Sequence, residues 1–337
     1  VRLGVLGQSP WYDFITRDLV RSGELARLVR ENGVRGMTSN PTIFEKAIAG
    51  SGDYDADIHM LAARGETPAE IAESLMVADV QAACGVFRQV YESSGHGDGT
   101  VSVEVSPTLA HDTEGTISAA ERLWSRVNRP NVMIKIPGTL AGLPAITHCL
   151  GRGINVNVTL LFSVERYRMV IDAFLAGLEQ RVASGGEITH LHSVASFFVS
   201  RVDGQTDVAL AGVGDAGKPF LHQMAIANAR VAYEAFEVSL LTLRWQKLAG
   251  FGAKPQRPLW ASTGTKDPAL PDVYYVEALI APNTVNTLPP ETFRAYLDHG
   301  APEVRITPAT ERAAIALLSG YDKLNVAPLA ERTAYLE

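Results

Sequence analysis

Residues 131–139 read Asn-Val-Met-Ile-Lys-Ile-Pro-Gly-Thr, which predicts a short strand with a central lysine and a Pro-Gly turn at its end. A lysine is seldom fully buried unless it is paired, and a buried amine tends to lose its proton. A deprotonated amine is a nucleophile for carbonyl carbon. On this segment alone two interpretations stay open: Lys135 is a buried nucleophile, or it lies on an edge strand and points to water.

Strand-like and helical stretches alternate about eight times along the 337 residues. The predicted strands lie at about 8–13, 34–40, 100–106, 131–137, 154–161, within 188–199, 258–264 and 284–287. Eight such units are typical of a parallel sheet with crossover helices, and they fit a closed (β/α)8 TIM barrel better than an open sheet. No Gly-x-Gly-x-x-Gly motif opens the first unit, which argues against a dinucleotide-binding fold. We therefore predict a single α/β domain over residues 1–337, with additional helices after the second strand and at the C-terminus.

Apolar spacing predicts the helices between these strands. They are expected at about 16–31, from 41 to 91 with a break near 50–52, and at 113–127, 143–150, 163–184 and 219–248. Thr67 followed by Glu70 is typical of a capped helix start. The stretch 201–217 is rich in glycine and aspartate and is predicted to be a loop.

The composition is that of an ordinary globular protein, with 46% hydrophobic residues, 20% charged residues and a net charge of −7. This charge argues against nucleic acid or an anionic membrane as partner, and no apolar run approaches the ~20 residues of a membrane span. Cys84 and Cys149 form no metal or redox motif, which fits a reducing compartment such as the cytoplasm. The first residues are too short for a signal peptide, and the missing initiator methionine leaves a trimmed, a processed or a longer polypeptide open.

Polar side chains recur on one face of several predicted strands. In the fifth strand Asn155, Asn157 and Thr159 alternate with apolar residues that should pack against helices, so the polar face points into the barrel. A barrel interior is normally filled by branched apolar residues, so these groups need partners in an internal network or in a substrate. Ser102, Glu104 and Ser106 share one face of the third strand and are expected to point inward in the same way. Further polar residues on or near the strands are Asp13, Ser39, Asn40, Ser196 and Ser262.

The C-terminal ends of the strands, where such barrels carry their active sites, would bring this set together. Taken singly, Glu104 is equally well a salt-bridge partner and Asp13 a helix cap. With Lys135 they match covalent carbonyl chemistry, which needs an amine nucleophile and carboxylates for proton transfer. A closed barrel has no edge strand, which favours the buried nucleophile. Arg201 suits phosphate recognition, whereas Lys266 is better interpreted as a surface charge.

The chain resembles the transaldolases over nearly its whole length. The motifs that carry this resemblance occur in the family's order: GMTSNPTIF at 36–44, VMIKIPGT at 132–139, NVNVTLLFS at 155–163, SVASFFVSR at 193–201, EAL at 277–279 and VNTLPP at 285–290. The length and the opening QSPWYD at 8–13 are similar to a longer subfamily of actinobacteria, cyanobacteria and plants. Some members of that subfamily are fused to glucose-6-phosphate isomerase.

This resemblance implies a cofactor-free and metal-free class I enzyme of the non-oxidative pentose phosphate pathway. It implies transfer of a dihydroxyacetone unit from sedoheptulose 7-phosphate to glyceraldehyde 3-phosphate, which gives erythrose 4-phosphate and fructose 6-phosphate. These sugar phosphates would be its partners, without nucleic acid or membrane, and a monomer or homodimer is expected.

The resemblance also implies roles for individual residues. Lys135 would form the Schiff base, Asp13 would be the acid/base of carbon–carbon cleavage, and Glu104 with Thr159 would hold a proton-relaying water. The residues implied for the dihydroxyacetone group are Asn40, Asn157 and Ser196, and those for the phosphate are Arg201, Ser262 and, as an additional candidate, Lys266.

Two departures from the family pattern affect details. Pro10 stands where the family more often has an aliphatic residue, so a bend before Asp13 is expected. The arginine found two residues after Ser262 in shorter enzymes is missing, which leaves Arg201 together with either Lys266 or backbone amides for the phosphate.

Two other functions were weighed against transaldolase. One is a fructose-6-phosphate aldolase that releases free dihydroxyacetone, although those relatives are much shorter and usually use a tyrosine acid. The other is a barrel retained as a structural or regulatory partner, against which the Asp13, Glu104 and Lys135 set argues.

Overall fold

Eight parallel strands close into a barrel in the order of the sequence, in a computed structural model that describes residues 2–324 and 326–337. Each strand pairs with the next, and the eighth pairs with the first. The strands are β1 (Gln8–Asp13), β2 (Gly36–Thr38), β3 (Thr100–Glu104), β4 (Val132–Pro137), β5 (Val156–Leu161), β6 (Ser193–Phe198), β7 (Arg257–Ala261) and β8 (Thr284–Leu288). The predicted TIM barrel is therefore confirmed.

Helices surround the barrel and connect its strands. They are α1 (Arg2–Val5), α2 (Arg17–Arg21), α3 (Glu24–Asn32), α4 (Pro41–Ala49), α5 (Asp55–Ala63), α6 (Pro68–Ser93), α7 (Thr113–Val127), α8 (Gly142–Gly151), α9 (Val164–Ala183), α10 (Ser200–Ala211), α11 (Met224–Leu240), α12 (Leu243–Gly250), α13 (Tyr274–Ala278), α14 (Pro290–His299), α15 (Pro308–Tyr321) and α16 (Leu329–Leu336). Short 3-10 turns lie at Gly52–Tyr54, Pro107–Leu109, Gly214–Ala216 and Lys218–Phe220. Among the described helices, none has both the length and the apolar character that crossing a bilayer requires.

Local chemistry explains where two of these helices begin. At the start of α6 the Thr67 hydroxyl accepts from the Glu70 N–H, and the Glu70 carboxylate accepts from the Thr67 N–H, which is the predicted capping box. At the start of α4 the Asn40 side-chain oxygen accepts from the Ile43 N–H, and Pro41 occupies the first helical position. The cap fixes the Asn40 side chain directly after β2.

Two predicted helices are each divided in two. The stretch 16–31 forms α2 and α3, because Gly23 adopts a left-handed φ of 81° that favours glycine and ends the first helical run. The stretch 219–248 begins later, at Met224, and a break after Leu240 precedes a new helix capped by the Thr242 side chain. In both cases the apolar spacing continues across a turn.

The predicted loop at 201–217 is wrong, because most of it forms α10. Its buried residues Val202, Thr206 and Leu210 recur every four positions, which places them on one helical face. The buried Asp203 carboxylate accepts from the Ala225 N–H and from the Tyr275 hydroxyl. These tertiary contacts outweigh the low helix propensity of the glycines and aspartates.

The lower half of the barrel interior is an apolar floor. It consists of the buried residues Trp11, Met133, Val194, Leu259 and Val285, and the cluster extends to Ala261 at the C-terminal end of β7. The Trp11 ring lies against β2 at Gly36, where an added Cβ would come within 2.5 Å of the indole. The pairing of β1 with β8 runs without a shift from Gln8 to Tyr12, so the bend expected at Pro10 does not interrupt the ladder.

We predict that Gly36→Ala destabilises the chain by about 1–3 kcal/mol, because the new methyl group overpacks the Trp11 site. Gly85→Ala is the matched control, since Gly85 lies exposed in α6 with open space around it. That substitution should raise the free energy of unfolding by up to about 1 kcal/mol. Urea unfolding measures both values. A Gly36→Ala chain as stable as the Gly85→Ala chain would contradict the packing described.

Candidate active site

A cavity of about 330 Å³ opens at the C-terminal end of the barrel. Eight of the ten predicted site residues line it: Asp13, Asn40, Lys135, Thr159, Ser196, Arg201, Ser262 and Lys266. The other two, Glu104 and Asn157, lie just behind the lining and contact Lys135 and Ser196 respectively. The barrel therefore brings residues from seven of its strands and their following loops into one place.

Lys135 lies at the base of this cavity in an ion pair with Glu104. The Lys135 Nζ is 3.0 Å from the Glu104 Oε2 and donates to the Ser39 carbonyl oxygen at 3.3 Å. The two side chains are only 8% and 10% exposed. They meet because β3 and β4 pair in a register that sets Glu104 directly beside Lys135. The alternative of a solvent-facing edge strand is thus excluded.

Asp13 belongs to a chain of hydroxyl contacts at the end of β1. The Thr38 hydroxyl donates to the Asp13 Oδ1 at 2.6 Å, and the Thr287 hydroxyl lies 2.6 Å from that of Thr38. Burial raises the pKa of the Asp13 carboxyl, while Lys135 and the Thr38 hydrogen bond act in the opposite direction. A carboxyl held in one orientation, with its pKa moved toward neutrality, suits general acid–base catalysis.

The two amides of the fifth-strand segment differ in their placement. Asn157 is fully buried, donates to the Ser102 hydroxyl at 3.0 Å and accepts from the Ser196 hydroxyl at 2.6 Å. Asn155 lies nearer the N-terminal end of the barrel. Its amide nitrogen donates to the carbonyl oxygens of Pro130 and Val132, and its amide oxygen accepts from the His192 N–H. Asn155 therefore forms a satisfied structural network, whereas the Asn157 network reaches the cavity through Ser196.

Thr159 presents an unpaired hydroxyl at the cavity. Its Oγ1 is buried and has no hydrogen-bond partner among the described residues. The register between β5 and β6 shifts between Val158 and Leu161, and Leu160 takes a left-handed φ of 60°. Irregularities of this kind often occur next to functional sites, where they change the direction in which a side chain points. The hydroxyl is available for a water or a substrate.

Two cations line the cavity from the segments that follow β6 and β7. Arg201 lies in the first turn of α10, with its guanidinium carbon 5.1 Å from the centre of the Phe198 ring. Lys266 is exposed and lines the cavity from the loop after β7. Ser262 has a left-handed φ of 55°, and its hydroxyl is 2.9 Å from that of Ser200. The region can bind an anion despite the negative net charge of the chain.

Three residues that line the cavity were not predicted from the sequence: Thr38, Thr287 and Phe198. Thr38 lies two positions after Gly36, so the alternation of side chains along β2 could have placed it on the inner face. One interior assignment was wrong. Ser106 lies beyond β3, is exposed and caps a 3-10 turn by accepting from the Thr108 N–H.

Comparison with known proteins gives consistent matches. A family model described as transaldolase/fructose-6-phosphate aldolase matches residues 10–328. A transaldolase of Parafrankia sp. is 51% identical over 335 residues, which cover 98% of this chain and 91% of the relative. One from Frankia alni is 54% identical over 299 residues, covering 88% and 81%. Transaldolase 2 of Nostoc sp. is 52% identical over 303 residues, covering 87% and 80%.

Because the pKa of Asp13 is raised, the free energy of unfolding should depend on pH. The folded state disfavours the ionised carboxyl, so stability is lost as the pH rises through the folded-state pKa. Asp13→Asn should therefore raise the melting temperature at neutral pH, and this gain should shrink as the pH falls through the folded-state pKa and disappear below about 4, the ordinary pKa of aspartate. Thermal unfolding across pH measures the difference, with exposed Asp18→Asn as control. A gain that does not change with pH would contradict this account.

Proposed function

The chain belongs to the transaldolase/fructose-6-phosphate aldolase family, and on this premise we propose that it transfers a dihydroxyacetone unit through a Schiff base on Lys135. The family resemblance of the sequence is confirmed, and the relatives make the chain a transferase of the transaldolase type. The donor would be sedoheptulose 7-phosphate and the acceptor glyceraldehyde 3-phosphate, in the non-oxidative pentose phosphate pathway. The observation that carries the proposal is the buried Lys135 amine, 3.0 Å from a carboxylate and in one cavity with Asp13.

Imine formation is the first step of this proposal. The Lys135 ammonium first gives a proton to Glu104, and the neutral amine then attacks the C2 carbonyl carbon of the donor ketose. Transfer of a proton from the nitrogen to the C2 oxygen leaves a carbinolamine. Loss of the C2 hydroxyl as water requires a proton donor beside it. Glu104 accepts the ammonium proton across 3.0 Å and returns it to the C2 hydroxyl, directly or through a water held with the Thr159 hydroxyl, so that water leaves and the iminium forms.

Carbon–carbon cleavage follows from the position of Asp13. Its carboxylate takes the proton of the C4 hydroxyl, the C3–C4 bond breaks, and the electron pair moves into the iminium to give an enamine. Erythrose 4-phosphate leaves as the aldehyde. The enamine then attacks the aldehyde carbon of glyceraldehyde 3-phosphate, the alkoxide regains its proton from Asp13, and hydrolysis of the imine releases fructose 6-phosphate. The Thr38 hydroxyl holds the carboxyl for both proton transfers.

Substrate binding divides between the two sides of the cavity. Asn40, Asn157 and Ser196 lie near Lys135 and would bind the hydroxyls of the dihydroxyacetone unit. Arg201 and Lys266, with Ser262 between them in the lining, would bind the phosphate. Since arginine and lysine both pair with phosphate oxygens, this side supplies the charge that a sugar phosphate requires.

Lys135→Ala should lower the rate of fructose 6-phosphate formation by about 10³-fold or more, because no imine can form. Lys247→Ala, an exposed lysine of α12, is the matched control and should keep full activity. The assay supplies both substrates and separately measures free dihydroxyacetone without acceptor. Transfer that survives in the Lys135→Ala chain would reject the proposal, and rapid release of dihydroxyacetone would favour an aldolase.

Glu104→Gln keeps the shape of the side chain but removes its capacity to exchange protons. We expect single-turnover imine formation to slow by about 10²-fold or more, which is the usual contribution of a general acid–base. Rapid mixing with fructose 6-phosphate and quenching in borohydride measures the rate. Unchanged imine formation would show that Glu104 serves only to pair Lys135.

A further inference from the structure

A second cavity, of about 200 Å³, lies at the opposite, N-terminal end of the barrel. Trp11, Met133 and Val194 form the side of it that faces the barrel centre. Each lies two residues before an active-site residue of the same strand, so the apolar floor separates the two cavities. Among the described residues, no side chain lines both cavities.

Three residues that line this second cavity carry a buried polar atom. His192 is 8% exposed, and its Nε2 has no hydrogen-bond partner within the described part of the chain. The same holds for the Thr100 hydroxyl and the Trp11 indole nitrogen. All three atoms can donate a hydrogen bond, the imidazole in the tautomer that carries its proton on Nε2. Buried polar groups are normally paired, so the His192 and Thr100 side chains, which line the cavity, are suited to an acceptor, whereas the Trp11 indole nitrogen packs against Gly36.

The charges around His192 are positive. Burial lowers the pKa of His192 to about 3, and Arg257, His96, Lys254 and His190 add to this effect. The imidazole is therefore neutral near pH 7 and lies in the region of two cations, Arg257 and Lys254. Such a region attracts small anions.

The carboxylate in the lining is already neutralised. Asp98 accepts from the Arg257 guanidinium at 2.9 Å and lies 3.6 Å from Arg35. Arg257 also donates to the Ser9 hydroxyl and the Gly97 carbonyl oxygen. The guanidinium is thus fixed in place without a ligand, and Lys254 adds an exposed ammonium at the rim.

We propose that this cavity binds a small inorganic oxyanion of the phosphate or sulfate class between His192, Lys254 and Arg257. The cavity is smaller than the active-site cavity, about 200 Å³ against 330 Å³, which fits a free oxyanion better than a sugar phosphate. The bound anion would lie on the N-terminal side of the apolar floor, and the active-site residues lie on its C-terminal side on the same strands. The site is independent of the reaction proposed above, although its test must separate it from the Arg201 region.

Equilibrium dialysis of the full chain with radiolabelled inorganic phosphate tests the proposal. We expect binding that depends on Lys254 in addition to binding that depends on Arg201. Lys254→Gln should weaken the first by about tenfold or more, because a charge-assisted contact is lost. Lys247→Gln, an equally exposed lysine of α12, should leave it unchanged. The same two variants are also measured with Arg201→Gln added. This substitution removes phosphate binding that depends on Arg201, so the remaining binding reports on the second cavity alone.

Crystals soaked in selenate locate the bound anion directly. We expect anomalous density beside the His192 Nε2, and its loss in the Lys254→Gln chain. Equal phosphate binding by the Lys254→Gln and Lys247→Gln chains, or selenate density confined to the C-terminal cavity, would overturn the proposal.

Discussion

The ion pair between Lys135 and Glu104 is the interaction on which the rest of the structure depends. Removing two charges from water costs several kcal/mol for each ion, so such a pair persists only in good geometry with further hydrogen bonds. The barrel supplies that geometry, because the register of β3 and β4 sets the two residues side by side. The Ser39 carbonyl oxygen accepts the additional hydrogen bond from the amine. A shift of one residue in either strand would turn one charge outward.

Closure of the barrel divides its interior into two zones with different tasks. The apolar floor around Trp11 buries large side chains and lies below the polar residues on the same strands. Above it, Asn157 and Ser196 form a paired network, while Thr159 and Asp13 face the cavity. The lower zone therefore adds buried apolar surface to the barrel, and the upper zone retains groups such as Asp13 whose burial opposes folding at neutral pH. Active sites commonly carry such a cost.

The sequence predicted those parts of the fold that depend on local pattern. The alternation in β4 and β5 is regular enough to assign an inner face, which placed Lys135, Asn157 and Thr159 correctly. The alternation of side chains along one strand does not reveal which residue of the neighbouring strand lies beside a given residue. The contact between Lys135 and Glu104 could therefore not be derived from the sequence. The helix α10 was not predicted, because tertiary contacts of Asp203 that the sequence does not reveal stabilise it. Alternation along the three-residue strand β2 can place Thr38 on the inner face, but it does not reveal the hydrogen bond that Thr38 donates to Asp13.

Reductive trapping tests the central claim most directly. Borohydride added to the chain with fructose 6-phosphate reduces an imine to a stable amine, which peptide mass spectrometry can assign to one residue. The account predicts one dihydroxyacetone-derived adduct per chain, on Lys135. An adduct on another lysine such as Lys266, or no adduct although the substrate is bound, would contradict it.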